Sequence, residues 1–292
     1  RRIGSLDEDF VKGGKMKNFF KLVVLVIGIL LIGWLCLPYN LLIIGSDARP
    51  WEEMKGTRAD GLILVKVVPL LAKVDMISIP RDTYAEIPCE DNWKRDKITH
   101  SFAFGSVRDG KDGGRKCTIE AVENLLETKI NYSVVFRFDD VINLTTLIGG
   151  VDIVANHTFT QDEQHFDEGK KYRISGERAL AYTRHRKSDG AFERDGRQRQ
   201  VMQEIIKKLV KPSGWKYIPR VYKYVNKRME ISANPVKALA VLPAILLKKD
   251  GITQKEITGD GKMMNGIYYF IPNEESLEKA KEDFSMDFNL GF

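Results

Sequence analysis

The chain has 292 residues, of which 43% are hydrophobic and 29% charged, and its net charge is +6 at pH 7. This composition excludes an intrinsically disordered chain, because disordered chains lack the apolar content that a buried core requires. The length is sufficient for one large globular domain together with a short additional element.

The first feature in chain order is an uncharged apolar run from Leu22 to Leu37. With the aromatic residues at its ends it reaches about 20 residues, the length that spans a bilayer core. Basic residues precede it, so the positive-inside rule places the N-terminus in the cytoplasm. We therefore predict a cytoplasmic segment over residues 1–18, a transmembrane anchor over 19–39 and an extracytoplasmic domain over 40–292.

A cleaved signal peptide is the alternative interpretation of this run. Signal peptides have shorter apolar regions that end in small residues, whereas this run ends in "WLCLPYN". The retained anchor is therefore favoured. Outside the membrane, Cys89 and Cys117 could form a disulfide or stay as two unrelated thiols, and the sequence leaves both possibilities open.

Three apolar runs follow the anchor with short connections between them: "YNLLIIGSD", "DGLILVKVV" and "KVDMISIP". They predict three consecutive strands in an antiparallel meander. In such a meander the end of the first strand, the start of the second and the end of the third lie at one sheet edge. We expect Asp47, Arg58, Asp60 and Arg81 to converge there.

The rest of the chain alternates between helical and strand patterns. "KITHSFAFGSV" and "TIEAVENLLETK" predict two helices, the second beginning with a capping motif near Thr118. Further strands are expected in "YSVVFRF", "VDIVA" and "MNGIYYFIP", with helices between and after them. Interleaved strands and helices indicate a single α/β domain.

Positive charge is concentrated in residues 178–228, which contain 15 Lys and Arg against 4 Asp and Glu. The apolar stripe of the helix predicted there extends backwards onto Arg194, Arg197 and Gln198. If the preceding "YTRHR" is extended, Arg184 and Arg186 also share one side. Inward arginines need anionic partners, and guanidinium groups bind phosphate oxygens in pairs of hydrogen bonds.

A basic face that contacts lipid headgroups or wall polymers without chemistry is the competing interpretation of this segment. The second cluster argues against it, because Asp47 and Asp60 beside two arginines are typical of a metal-assisted phosphate site. Asp82 is as well placed to brace its turn as to contact a metal ion.

Seven blocks then carry a resemblance to a known family: "GSDAR", "TRADG", "SIPRDT", "DKITHSF", "GGVDI", "GERALAYTRHR" and "FERDGRQRQ". In this order behind an N-terminal apolar run, they resemble the LytR-CpsA-Psr family over about residues 40 to 285. The resemblance implies an α/β/α sandwich with a central mixed, largely antiparallel sheet. It also implies a phosphotransferase that moves a glycopolymer, such as teichoic acid or capsule, from undecaprenyl pyrophosphate to the muramic acid C6 hydroxyl of peptidoglycan.

The resemblance further implies roles for individual residues. Asp47 and Asp60 would hold Mg²⁺ or Mn²⁺. The residues expected to line the pyrophosphate are Arg58, Arg81, Lys97, Arg184, Arg186, Arg194, Arg197 and Gln198. The arginines among them are also the predicted catalytic groups, and the lipid is expected to lie between the sheet and the helices.

One position departs from the family pattern. Ala191 stands where a carboxylate is usual, which leaves two alternatives: Asp189, two residues back, substitutes as the general base, or the step needs no such base. Two rival functions remain, a polyprenyl pyrophosphate hydrolase and a non-catalytic receptor for lipid phosphate or wall polymer. A nucleic-acid partner is not expected, because the basic segment is predicted to lie outside the membrane.

Overall fold

The computed structural model describes residues 4–46, 55–90, 94–185, 190–228, 230–232 and 252–286. The strands in chain order are β1 Tyr39–Ser46, β2 Ala59–Val68, β3 Lys73–Ile79, β4 Tyr84–Glu86, β5 Arg95–Lys97, β6 Tyr132–Arg137, β7 Val151–Val154, β8 Phe159–Gln161, β9 Gln164–Phe166, β10 Lys171–Ile174, β11 Glu230–Ile231, β12 Ile252–Glu256, β13 Gly259–Met264 and β14 Ile267–Pro272. The helices are α1 Gly4–Cys36, α2 His100–Leu126, α3 Phe138–Leu147, α4 Gly176–Arg184, α5 Gly190–Val210, α6 Ile218–Arg228 and α7 Glu274–Phe284.

The central sheet has six strands in the order β11-β6-β1-β2-β3-β12. The predicted meander is confirmed, since β1 pairs antiparallel with β2 and β2 with β3. Strand β11 is also antiparallel to β6, whereas β6 runs parallel to β1 and β12 parallel to β3. The sheet is therefore mixed, and most of its pairings are antiparallel.

Two apolar layers cover the faces of this sheet because the side chains of each strand alternate between them. On one face Ile43, Ile63 and Met76 pack against α3, α4 and α5. On the other face Leu42 and Leu64 pack against α2 and α7. The mixed α/β fold is thus confirmed as helices on both sides of a central sheet.

The predicted helix start near Thr118 is wrong, because Thr118 lies inside α2. The chain leaves helical geometry at Asp109 and Gly110, so two helical arms meet there, and the second begins well before Thr118. Thr118 lies inside that arm and donates its hydroxyl to the carbonyl of Gly114 at 2.9 Å. The arms approach so closely that a Cβ on Gly105 would lie 2.3 Å from the carbonyl oxygen of Gly113.

The question of the two outer cysteines is settled by a disulfide between Cys89 and Cys117, with a Cα–Cα distance of 5.4 Å. It ties the segment after β4 to the second arm of α2. Arg108 of the first arm donates to the carbonyl of Cys89 at 2.7 Å. Both arms of α2 are therefore fastened to the same segment.

The predicted apolar anchor forms the last part of α1, which ends at Cys36, and β1 begins at Tyr39. The last residue of the predicted anchor thus belongs to the sheet, where Tyr39 is buried. Among the described residues, no helix combines the length and the apolarity that a bilayer span requires.

Candidate active site

A linked group of charged side chains occupies the sheet edge where β2 begins and β3 ends. The Arg81 guanidinium contacts Asp60 at 3.2 Å and Asp82 at 3.5 Å. Lys97, the last residue of β5, contacts the other oxygen of Asp82 at 2.7 Å. The meander brings Asp60 and Arg81 together as expected. Asp82 contacts both Arg81 and Lys97 and so holds these two cations next to each other.

A cavity of about 680 Å³, including its open mouth, adjoins this group. It lies between the sheet and helices α3 and α5. Its walls are mainly apolar, formed by residues that include Ile43, Ile63, Ile79, Phe136, Val141, Ile142 and Met202. Its polar lining includes Asp60, Arg81, Thr183 and Gln198. A ligand with a long apolar part and an anionic end would match this distribution.

Helices α4 and α5 bring Thr183 and Gln198 to the cavity. Gln198 donates to the carbonyl of Thr183 at 3.4 Å, which links the end of α4 to the first half of α5. Arg197 points inward, as the helical stripe predicts, and is fully buried. It donates to the carbonyl of His185 at 2.7 Å, and its guanidinium lies 5.0 Å from the centre of the Phe159 ring. In this arrangement it supports the chain beside the cavity and is not part of the cavity wall.

The remaining predicted phosphate ligands are placed differently. Arg184 ends α4 in helical form, so the extended "YTRHR" considered from the sequence is not adopted at this position. Its side chain is 58% exposed and lies 3.9 Å from Asp139. Arg58 is exposed immediately before β2. Neither side chain lines the cavity.

Arg137 is a basic residue at this edge that sequence reasoning missed. It ends β6 and pairs in register with Ser46 at the end of β1. Because β1 and β6 are parallel, their carboxyl ends meet where ligand sites of open sheets commonly form. The signal in the sequence was its place as the last residue of a strand.

Several predicted residues fall outside this description. Asp47, Arg186 and Asp189 are outside the described residues. Arg194 and Ala191 lie on α5, but their side chains are also outside the description. Within the described part of the chain, no group of three or more His, Cys, Asp or Glu side chains could hold a metal ion. Of the predicted carboxylate pair, Asp60 lies among the described residues and lines the cavity.

A second polar network flanks the charged group. Asp96 accepts hydrogen bonds from His100 at 2.9 Å and from the Tyr269 hydroxyl at 3.2 Å. Burial acts to raise the pKa of Asp96, but the hydrogen bonds from His100 and from the Lys97 amide outweigh it, so the pKa is lowered. Burial and the Asp96 charge together raise the pKa of Tyr269. The network holds β5 and the start of α2 against β14.

Comparison with known proteins agrees with this architecture. Residues 37–285 match the LytR_cpsA_psr family. The chain belongs to this family. Among LytR_cpsA_psr relatives, it is 33% identical over 254 residues to polyisoprenyl-teichoic acid–peptidoglycan teichoic acid transferase TagU of Bacillus licheniformis, covering 86% of this chain and 78% of that protein. It is 35% identical over 248 residues to TagU of Bacillus subtilis strain 168, covering 84% and 76%.

Solved structures of the family share the fold. Bacillus subtilis TagV superposes with a TM-score of 0.71 at 27% identity, over 85% of this chain and 96% of TagV. Bacillus subtilis TagU gives 0.63 at 32% identity, over 85% and 95%. TagT bound to LIIa-WTA gives 0.64 at 25% identity, over 85% and 89%.

Proposed function

We propose that this chain is a membrane-anchored phosphotransferase. It moves a glycopolymer from an undecaprenyl pyrophosphate carrier to the muramic acid C6 hydroxyl of peptidoglycan and leaves lipid phosphate. The observation that carries the proposal is the apolar cavity with Asp60, Arg81 and Gln198 in its polar lining. The names of the teichoic acid transferase relatives support the same substrate class.

Arg81 is the central group for phosphate binding in this proposal. Its guanidinium is held by Asp60 and Asp82 and still lines the cavity. Phosphoryl transfer requires stabilisation of charge on the nonbridging and leaving oxygens, which a fixed cation supplies without reorganisation. Lys97, held by Asp82, adds a second cation beside Arg81. The apolar walls bind the prenyl chain and orient the pyrophosphate toward these cations.

The metal assignment is part of the proposal. Asp60 and Asp47 would hold Mg²⁺ or Mn²⁺, which favours carboxylate oxygens together with substrate phosphates. When bound, such an ion neutralises phosphate charge. Asp60 fits this role in chemistry and position, because its carboxylate lines the cavity beside Arg81. Isothermal titration with Mg²⁺ alone should give weaker binding to Asp60→Asn than to the unmodified chain, and equal binding would exclude Asp60 as a ligand.

Anchorage through α1 is also proposed, with the domain outside the membrane. Its support is the uncharged run from Leu22 to Leu37 and the exposure of its side chains, including Leu25 at 59% and Leu30 at 67%. Exposed leucines at this density are unfavourable in water and favourable in lipid.

One assay tests the function. The full-length chain in nanodiscs is incubated with a polyprenyl pyrophosphate-linked saccharide, Mg²⁺ and peptidoglycan. Covalent attachment of the saccharide phosphate to the wall supports transfer. Release of free sugar phosphate without attachment indicates a hydrolase, and recovery of intact bound lipid indicates a receptor; either of these results overturns the proposal.

A further inference from the structure

The connection between β2 and β3 exposes two consecutive leucines. It is a short 3-10 turn, Pro69–Leu71, in which Leu70 is 64% and Leu71 is 56% exposed. A leucine side chain is more stable when it is buried among apolar groups than when it is exposed to water. Two neighbouring leucines on a projecting turn therefore favour a partner that takes apolar side chains.

The turn lies at the sheet end where α1 joins the domain. Tyr39, the first residue of β1, pairs in register with Val67 near the end of β2. Helix α1 contacts the turn directly. Leu37, between α1 and β1, is 51% exposed. The leucines of the turn therefore extend the exposed apolar surface of α1.

A groove beside the turn shows which kind of partner fits. Its apolar side includes Pro38, Val68, Leu70 and Leu71. Its charged side is largely satisfied within the chain: Lys66 donates to the carbonyls of Asp283 and Ser285, and Lys281 contacts Glu127 and Glu278. Lys73 pairs with Asp75 and is 44% exposed, so it can also reach polar headgroups. Such a surface offers apolar insertion with little net charge, which suits a lipid interface better than an acidic protein.

We propose that the turn Pro69–Leu71 inserts into the bilayer interface beside the end of α1. The inference rests on the proposed anchorage through α1. It adds a second contact, which fixes how the domain is oriented on the membrane. The bilayer is the occupant because the turn continues the apolar surface of α1, the segment proposed to lie in lipid.

The test measures lipid contact at three positions of the full-length chain. With Cys36 replaced by serine, single cysteines are introduced as Leu70→Cys, Leu25→Cys and Met263→Cys and labelled with an environment-sensitive fluorophore. Leu25 reports the anchor. Met263 is a matched control because it is 63% exposed and lies on the β13–β14 hairpin. The Phe270 amide of this hairpin donates a hydrogen bond to the carbonyl of Asp82, at the sheet edge that carries Arg81. Each protein is placed singly in nanodiscs of phosphatidylcholine and phosphatidylglycerol in equal parts.

We expect blue-shifted emission and several-fold weaker quenching by aqueous iodide at positions 70 and 25, with full quenching at 263. Single occupancy ensures that protection at position 70 does not come from a second copy. Full quenching at 70 with protection at 25 would overturn the docking and leave the anchor intact. Full quenching at all three positions would overturn both. Protection from iodide at position 263 would also overturn the docking, because lipid contact would then not be confined to the sheet end next to α1.

Discussion

The two ends of the central sheet both gather charged residues, but they use them differently. At the site end Asp60, Arg81 and Lys97 surround the start of β2 and the end of β3. At the anchor end Lys66 and Asp75 lie on the same two strands, opposite each other in register. Charge content alone does not distinguish these two groups.

Exposure and neighbouring space distinguish them. Arg81 remains 27% exposed and lines an open cavity. Asp75 is 2% exposed and is contacted by Lys73 at 2.9 Å and Lys255 at 3.9 Å. Burial lowers the pKa of Lys66, which donates to carbonyls at the end of α7. The charges of the anchor end thus hold the chain together, whereas those of the site end can reach a substrate.

The largest expected effect is on polymer transfer, which a change at the site end of the sheet should reduce and a change at the anchor end should not. Arg81→Ala should reduce polymer transfer by about 10²–10³-fold, because it removes a fixed cation from the reacting phosphate. Lys73→Ala is the matched control at the anchor end and should retain transfer. Both are measured as labelled saccharide joined to peptidoglycan. Equal activity of the two variants would remove the distinction.

A change at the anchor end should act on stability instead. Asp75→Ala removes the charged hydrogen bond to Lys73, while Lys255 keeps Asp283 at 2.7 Å, so the free energy of unfolding should fall by about 1.5 kcal/mol. Urea denaturation measures the loss, and transfer per folded molecule should remain unchanged. A large fall in transfer with unaltered stability would assign Asp75 to the substrate site.

The cavity itself can be tested by filling it. Gly61 lines the cavity, and a Cβ built there has no neighbour nearer than the Gly45 Cα at 3.9 Å. Gly61→Leu should fold normally and reduce turnover of a long-chain prenyl substrate by about tenfold, equivalent to about 1.4 kcal/mol. A short-chain analogue should be much less affected. Equal loss for both substrates would show that the cavity does not hold the prenyl chain.

The smallest effect concerns the polar network beside the site. The pKa of Asp96 is lower in the folded state than in the unfolded state, where it is about 3.9. The ionised carboxylate therefore stabilises the fold at pH values above about 3.9, and this stabilisation is lost as the pH falls through the folded-state pKa. Asp96→Asn should therefore lower Tm at pH 7 by about 2–4 °C. The difference should shrink as the pH falls below about 3.9. Calorimetry over this range would contradict the assignment if the difference stayed constant.

The sequence predicts the meander and the meeting of Asp60 with Arg81, because alternation and short connections determine which strand ends share an edge. The inward direction of Arg197 follows from helical periodicity, but its packing on Phe159 does not, since that contact depends on a distant hairpin. The predicted start of the second helix near Thr118 is wrong. Gly105 and Gly113 allow the two arms of α2 to touch, so the helix resumes soon after Gly110. The apolar cavity is not encoded by any single segment, since it forms between the sheet and two helices.

The length of β1 has a consequence for how the carrier lipid meets this protein. Its eight residues run from the anchor end to the site end, and at about 3.3 Å per residue this separates the two ends by about 23 Å. With α1 anchored as proposed and β1 running along the membrane normal, the reacting phosphate would stand well above the membrane surface. The carrier must then be partly extracted from the bilayer, and each methylene left in water would cost about 0.8 kcal/mol. Apolar protein surface that covers the prenyl chain is therefore as necessary to the reaction as the cations that bind the pyrophosphate.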